Sequence, residues 1–202
     1  MSGRKRKTAD GAGQENEAKQ RLAESALQLF SEKGYAATSI REIIEGAGVT
    51  RPVLYYYFAS KEDLFRRIVE SQFEEFSTNL EKAMEKVSSL AEWLRAMAWT
   101  TFQHAERSPQ AVRLILYSFF APRLERPEID EDSLWESRFD RVRNTMERAF
   151  AAGEVVGPDA EVLARAFCGL IDMHVMAKCR KPHFHLTRAL SDSLVDLFLH
   201  GA

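Results

Sequence analysis

Apolar residues recur along nearly the whole chain at helical intervals, and polar punctuation between them marks starts and stops. Leu22, Ala23, Ala26, Leu27 and Phe30 form one face of a helix expected from about Ala18 to Gly34. Ser39-Ile40-Arg41-Glu42 has the form of a capping box, with Ile43 and Ala47 inward and a break at Gly48. Thr50 ahead of Arg51-Pro52 predicts an N-cap and a proline in the first turn of a new short helix. Ser60-Lys61-Glu62-Asp63 opens a long helix through Leu64 and Ile68 toward Val87. Further helices are expected from Ser89 to about Arg107, from Ser108-Pro109 to about Phe120, from about Asp132 to Ala152, from Asp159 to about Arg180, and from Thr187 to His200. Pro122 and Pro127 mark a loop at 121–131. No useful β alternation, internal repeat or low-complexity tract interrupts this grammar. The pattern predicts an all-α protein of about nine helices, with a small N-terminal unit and a larger C-terminal bundle.

Composition adds constraints. At 202 residues and 45% hydrophobic, the chain can bury a substantial core. Its 28 Lys+Arg and 30 Asp+Glu give a net charge of -2, which by itself argues against nucleic acid. The charges are unevenly placed: 12 Lys+Arg and 10 Asp+Glu precede residue 71, and 16 and 20 follow it. Residues 1-16, MSGRKRKTADGAGQEN, read as a disordered basic arm. They hold no apolar stretch of the secretory kind, so a cytoplasmic location is expected. The most apolar segment, 162–177, is interrupted by Arg165, Asp172 and His174, so no membrane span is expected. On one helix Cys168 and Cys179 would stand roughly 16 Å apart, too far for a disulfide.

Chemistry concentrates in Thr38 to Phe58. Two short helices joined by a tight turn at Ala47-Gly48-Val49 make a helix-turn-helix, the unit that can seat its second helix in a major groove. Ile43, Ala47, Val49, Leu54 and Phe58 supply its buried side, leaving Arg51, Pro52, Val53, Tyr55, Tyr56 and Tyr57 for other faces. Three consecutive tyrosines sweep about 300° of helix, so they cannot all be core. Tyrosine hydroxyls and helix N-terminal amides can donate to phosphates, and Lys61 adds a cation at the same edge. Two plainer readings stay open: Tyr55 as a core aromatic with a satisfied hydroxyl, and Arg41 as a solvated pair with Glu45.

From Leu22 through Phe65, in LFSEKGYAATSI and EIIEGAGVTRPVLYYYFASKEDLF, the sequence resembles the TetR/AcrR family of bacterial transcriptional regulators. The closing LVDLFLHG is similar to that family's last helix. The resemblance implies a helix-turn-helix DNA-binding domain at 17-63 and a ligand-binding and dimerisation bundle at 64-202. It places Thr50, Arg51, Pro52, Val53 and Tyr56 against DNA bases or adjacent backbone, puts Tyr55, Tyr57 and Lys61 on phosphates, and lets Arg41 reach a base edge or phosphate. Tyr57 departs from the histidine common at its place. Since Pro52 and Val53 offer no side-chain hydrogen bonds, base readout would lean on Arg51, whose bidentate choice is guanine.

The resemblance also implies an effector pocket among the C-terminal helices, with Trp99, Phe102, Tyr117, Phe120, Trp135 and Phe139 as its expected aromatic lining. Thr101 and His104 would be its polar groups. The last two helices would form a four-helix interface with a second copy through Phe167, Ile171, Leu190, Leu194, Leu197 and Phe198. Asp172 and His174 would be satisfied interface groups or effector contacts. The resulting expectation is a ligand-responsive homodimeric repressor of double-stranded DNA, with the helix after Lys61 as lever and without a cofactor. Catalysis is not expected, because no Gly-rich phosphate loop, H-E-x-x-H or G-x-S-x-G occurs. Two alternatives are a metal-responsive regulator using Cys179, His183 and His185, and a helical adaptor that does not bind DNA.

Overall fold

The structure, a computed structural model, describes residues 7–122, 125, 127, 131–157 and 159–201, and side chains from Asn16 onward except 119, 120 and 131–137. Among the described residues there are nine α-helices and no strand: α1 Lys7–Ala37, α2 Ile40–Ala47, α3 Arg51–Tyr57, α4 Lys61–Met84, α5 Leu90–Arg107, α6 Pro109–Phe120, α7 Glu131–Ala151, α8 Ala160–Arg180 and α9 Arg188–His200. None is long and apolar enough to cross a membrane. The expected disordered arm is corrected in part, because α1 opens at Lys7. No proline interrupts 7–17, and Ala9, Ala12, Gln14, Glu15 and Glu17 favour helix strongly enough to carry Gly11 and Gly13. Arg4, Lys5 and Arg6 lie outside the described residues.

The capping signals set the ends. Ser39 Oγ accepts from the Glu42 amide and the Glu42 side chain returns to the Ser39 amide, the full capping box. Ser89, Asp159 and Thr187 cap α5, α8 and α9 in the same way, each accepting from the amide three residues on. At α4 the Asp63 amide donates to Ser60 Oγ at 3.0 Å, while the Asp63 carboxylate reaches back past Ser60 to the Ala59 amide at 3.0 Å. Gly34, at φ 82 and ψ 168, ends the regular part of α1 as expected.

Two compact units result: Met1–Glu70 with Arg113–Ile129, and Ser71–Val112 with Asp130–Ala202. The first is centred on Leu22, Phe30, Ile43, Leu54, Leu64 and Phe65, all fully or almost fully buried. Phe65 stands edge-on to Phe30 at 5.2 Å and to Tyr35 at 5.3 Å, which binds the start of α4 to the end of α1. This packing carries the unit to Glu70, and Tyr117 of α6 joins it beside Gly34, where a Cβ would approach its hydroxyl to 3.1 Å. The second unit buries Leu94, Met97 and Phe102 of α5 with Val142 and Met146 of α7 and Phe167 and Ile171 of α8.

Candidate nucleic-acid interface

Helix α2 is held to α1 by side chains that meet it from its first turn to its last. Ser25 Oγ donates to Ile43 O at 3.0 Å, Arg21 Nε to Ala47 O at 3.2 Å, and Lys33 pairs with Glu42. Gly46 permits the approach: a Cβ there would lie 2.4 Å from Ser25 Oγ. Gly48, at φ 63 and ψ 37, turns the chain in the left-handed region, and its amide caps α2 at Glu45 O and Ile44 O. Arg21, Ser25 and Lys33 were not among the residues expected to matter. Their signal is polar residues set beside the apolar face of α1.

Helix α3 is anchored on one side only. Leu54 is fully buried and Phe58 is 2% exposed, while Thr50, Arg51 and Pro52 are exposed and Val53 is half-buried. Tyr55 is 45% and Tyr56 71% exposed, which removes the reading of Tyr55 as a core aromatic. Tyr57 is half-buried, edge-on to Tyr56 at 4.9 Å. The Arg51 guanidinium lies over the Tyr55 ring, 5.7 Å from its centroid. Thr50 makes no side-chain capping bond, so its hydroxyl is not committed to the helix end. Across the turn, Arg41 is paired with Glu45 at 2.7 Å and is 85% exposed, the solvated i,i+4 pair, with its head outward. Helix α3 therefore presents hydrogen-bonding tyrosines, one guanidinium and the apolar edges of Pro52 and Val53 on one open face.

Lys61 departs from its expected phosphate role. Its ammonium donates to Tyr35 O at 2.9 Å and Thr38 O at 2.8 Å, and lies 4.1 Å from the centroid of the Tyr35 ring. Burial lowers its pKa. The cation ties α4 to the turn between α1 and α2, because that turn leaves carbonyls that no helix amide satisfies.

The described rings of the expected effector lining each have local partners. Trp99 lines an open groove of about 400 Å³ with Asn79, Gln103 and Arg107, and Arg188 lies over its ring. Three of the groove's cations are ion-paired: Arg95 with Asp196, Arg107 with Glu75 and Arg188 with Asp192. Phe102 is fully buried, 6.4 Å from the His174 ring. Phe139 stacks under Arg165, and Tyr117 belongs to the first unit, its hydroxyl donating to Glu125 O at 2.8 Å. The side chains of Phe120 and Trp135 lie outside the described residues. Thr101 donates to Met97 O at 2.9 Å, whereas His104 Nε2 is buried without a partner.

The expected dimer residues also divide. Phe167, Ile171 and Leu194 are 7% exposed or less and pack inside their own unit, Phe167 against Phe198 at 5.4 Å, so they are corrected from interface to core. Leu190 and Phe198 are half-buried and Leu197 is 43% exposed. Asp172 is ion-paired with Arg138, and His174 Nδ1 bonds Leu170 O at 2.8 Å. The metal alternative gains no support: among the described residues no three His, Cys, Asp or Glu side chains are grouped to hold an ion, and His183 and His185 are exposed on the turn after α8.

Comparison with known proteins finds relatives over the region that holds α2 and α3. Residues 22–68 match the family described as bacterial regulatory proteins, tetR family. The chain is 30% identical over 100 residues to the HTH-type transcriptional activator FasR of Mycolicibacterium smegmatis, covering 50% of this chain and 46% of that one. It is 28% identical over 113 residues to the HTH-type transcriptional repressor KstR2 of Mycobacterium tuberculosis, covering 56% of each. It thus spans about half the length of the curated relatives it matches. Its fold is similar to that of the transcriptional regulator FadR from Bacillus subtilis, solved in complex with stearoyl-CoA, with 19% identity, a TM-score of 0.73, and coverage of 91% of this chain and 98% of that one. The helix-turn-helix domain that residues 22–68 build is thus similar to that of the tetR family of bacterial regulatory proteins.

Proposed function

We propose that the protein is a ligand-responsive, homodimeric transcriptional repressor that lays α3 in the major groove of a palindromic operator and performs no catalytic step. The observation that carries this reading is the open face of α3, with Arg51 over Tyr55 beside the exposed Tyr56. Arg51 would read guanine, Pro52 and Val53 would contact thymine methyls, and Thr50, Tyr55, Tyr56 and Tyr57 would hold bases or phosphates. Selection of bound sequences from a random duplex pool tests it. The expected product is an inverted repeat whose half-sites lie about one helical turn apart, ~34–36 Å. An unenriched pool would refute it.

Dimerisation is supported by an unpartnered stripe. Val162, Ala166, Gly169 and Met173 recur along α8 at i, i+4, i+7 and i+11 and are exposed, Met173 by 64%, with Leu197 of α9 exposed by 43%. A two-fold copy of this face would bury it. Met173→Glu is expected to convert a sedimenting dimer to monomer and to abolish binding to the full inverted repeat; a dimer that persists would exclude this face.

The effector proposed is small and largely apolar or aromatic, taken by the second unit and favouring conformations that mismatch the operator half-sites. Stearoyl-CoA, the ligand of the FadR structure, is the first compound to try. Loss of operator binding on its addition is the expected outcome, and unchanged binding at saturation would remove it as effector.

A further inference from the structure

His104 is 6% exposed, and its Nε2 reaches no solvent and has no hydrogen-bond partner. An unpaired buried nitrogen bears its full desolvation cost, which evolution tolerates where another molecule supplies the missing bond. The position is not a general polar pocket. Leu94, Met97, Thr101 and His104 succeed one another at intervals of three and four residues, so they share one stripe of α5, and all four are buried. Thr101 has already spent its proton on Met97 O. The stripe is therefore apolar for most of its length, with one uncommitted hydrogen-bonding atom toward its C-terminal end. The Phe76 ring of α4 meets His104 edge-on, 5.9 Å between centroids. The charged groups facing the imidazole, Glu75 and Arg107, are paired with each other at 3.4 Å and half exposed.

We infer that His104 Nε2 is the polar contact of the effector site, recognising one uncharged hydrogen-bonding group, a hydroxyl or carbonyl, at the end of an apolar ligand. The inference rests on reading the second unit as the effector domain. A carboxylate is disfavoured as the recognised group, because burial keeps the imidazole neutral and offers no countercharge. The matching ligand brings its apolar chain to the His104 end of the stripe, beside the Phe76 ring, and donates to, or accepts from, the one nitrogen there.

The test uses 1-octanol and 1-chlorooctane, which share an apolar chain and differ in the hydrogen-bonding head. The full chain is labelled with 15N-histidine and titrated without DNA. Octanol is expected to shift one of the five imidazole signals and to bind about three- to tenfold more tightly than the chloro compound. In His104→Leu that signal is absent and the preference for octanol disappears while the chloro compound still binds; His104→Gln retains a preference. No imidazole response to octanol, or an undiminished preference in His104→Leu, would overturn the proposal. Because DNA is absent, failure here leaves operator recognition to its own selection experiment.

Discussion

Arg51 and Lys61 show how the same charge is put to different use. Arg51 is the one cation on α3 and is propped over Tyr55, so Arg51→Ala should cost about 1–3 kcal/mol at the cognate operator and relax preference at one base pair. An unchanged selected motif would refute its role. The Tyr55 ring and hydroxyl can be separated. If the ring orients Arg51, Tyr55→Phe keeps the motif and Tyr55→Leu blurs it; a Tyr55→Phe variant that weakens binding uniformly across sequences with an unchanged salt slope would make the hydroxyl a phosphate contact instead, because a neutral donor releases no counterion. Lys61→Ala should lower stability by about 1–3 kcal/mol, since a cation donating to two carbonyls is lost, and leave the salt slope of DNA binding unchanged. Thermal unfolding and a salt titration of the same variant check both halves. From sequence, the exposure of Arg51 was legible because Leu54 and Phe58 fix which side of α3 is buried. Lys61 was misjudged because its partners are backbone carbonyls 26 and 23 residues away, and carbonyls leave no trace in residue type.

At the level of the element, the packing of α2 on α1 turns on Gly46 and Ser25. Alanine at 46 gains roughly 1 kcal/mol of helix propensity but displaces the Ser25 hydroxyl from Ile43 O, a loss of about 0.5–1.5 kcal/mol. The two nearly cancel, so Gly46→Ala alone should be close to neutral. In a Ser25→Ala background it should stabilise, giving a coupling of about 1 kcal/mol in a double-mutant cycle by denaturant unfolding. Additive effects would mean that the two do not meet. Helix starts were legible wherever Ser, Thr or Asp could cap, as at Ser39, Ser89, Asp159 and Thr187, because the cap acts over three residues. The faces of α8 were less so. A helix apolar on several sides does not announce which side its own bundle takes, and Phe167 and Ile171 went inward while Met173 stayed out.

For the whole molecule, net charge concealed the open face of α3 because paired charges dominate the total, and Arg51 is the one cation that α3 carries. Acid response should be led by His104. Burial lowers its pKa, chiefly by desolvation, so the unfolded chain binds the proton more readily. The associated stability is full above the unfolded value of about 6.5 and is lost as pH falls through the lower folded value. His104→Leu should therefore flatten the fall in unfolding free energy as pH drops below about 6.5, and an unchanged slope would show that the imidazole titrates freely. Asp63 belongs to a lower window. Burial opposes its ionisation, but the Ala59 amide, Arg67 and Arg66 hold its carboxyl below the ordinary value, so its contribution is lost only in stronger acid. The Lys61 tie has a kinetic consequence as well. An ammonium engaged by two carbonyls and an aromatic ring offers no lone pair to an acylating reagent until α4 leaves the turn. Its rate of acetylation, compared with that of the exposed Lys181, would thus time the local opening of the helix-turn-helix unit under native conditions.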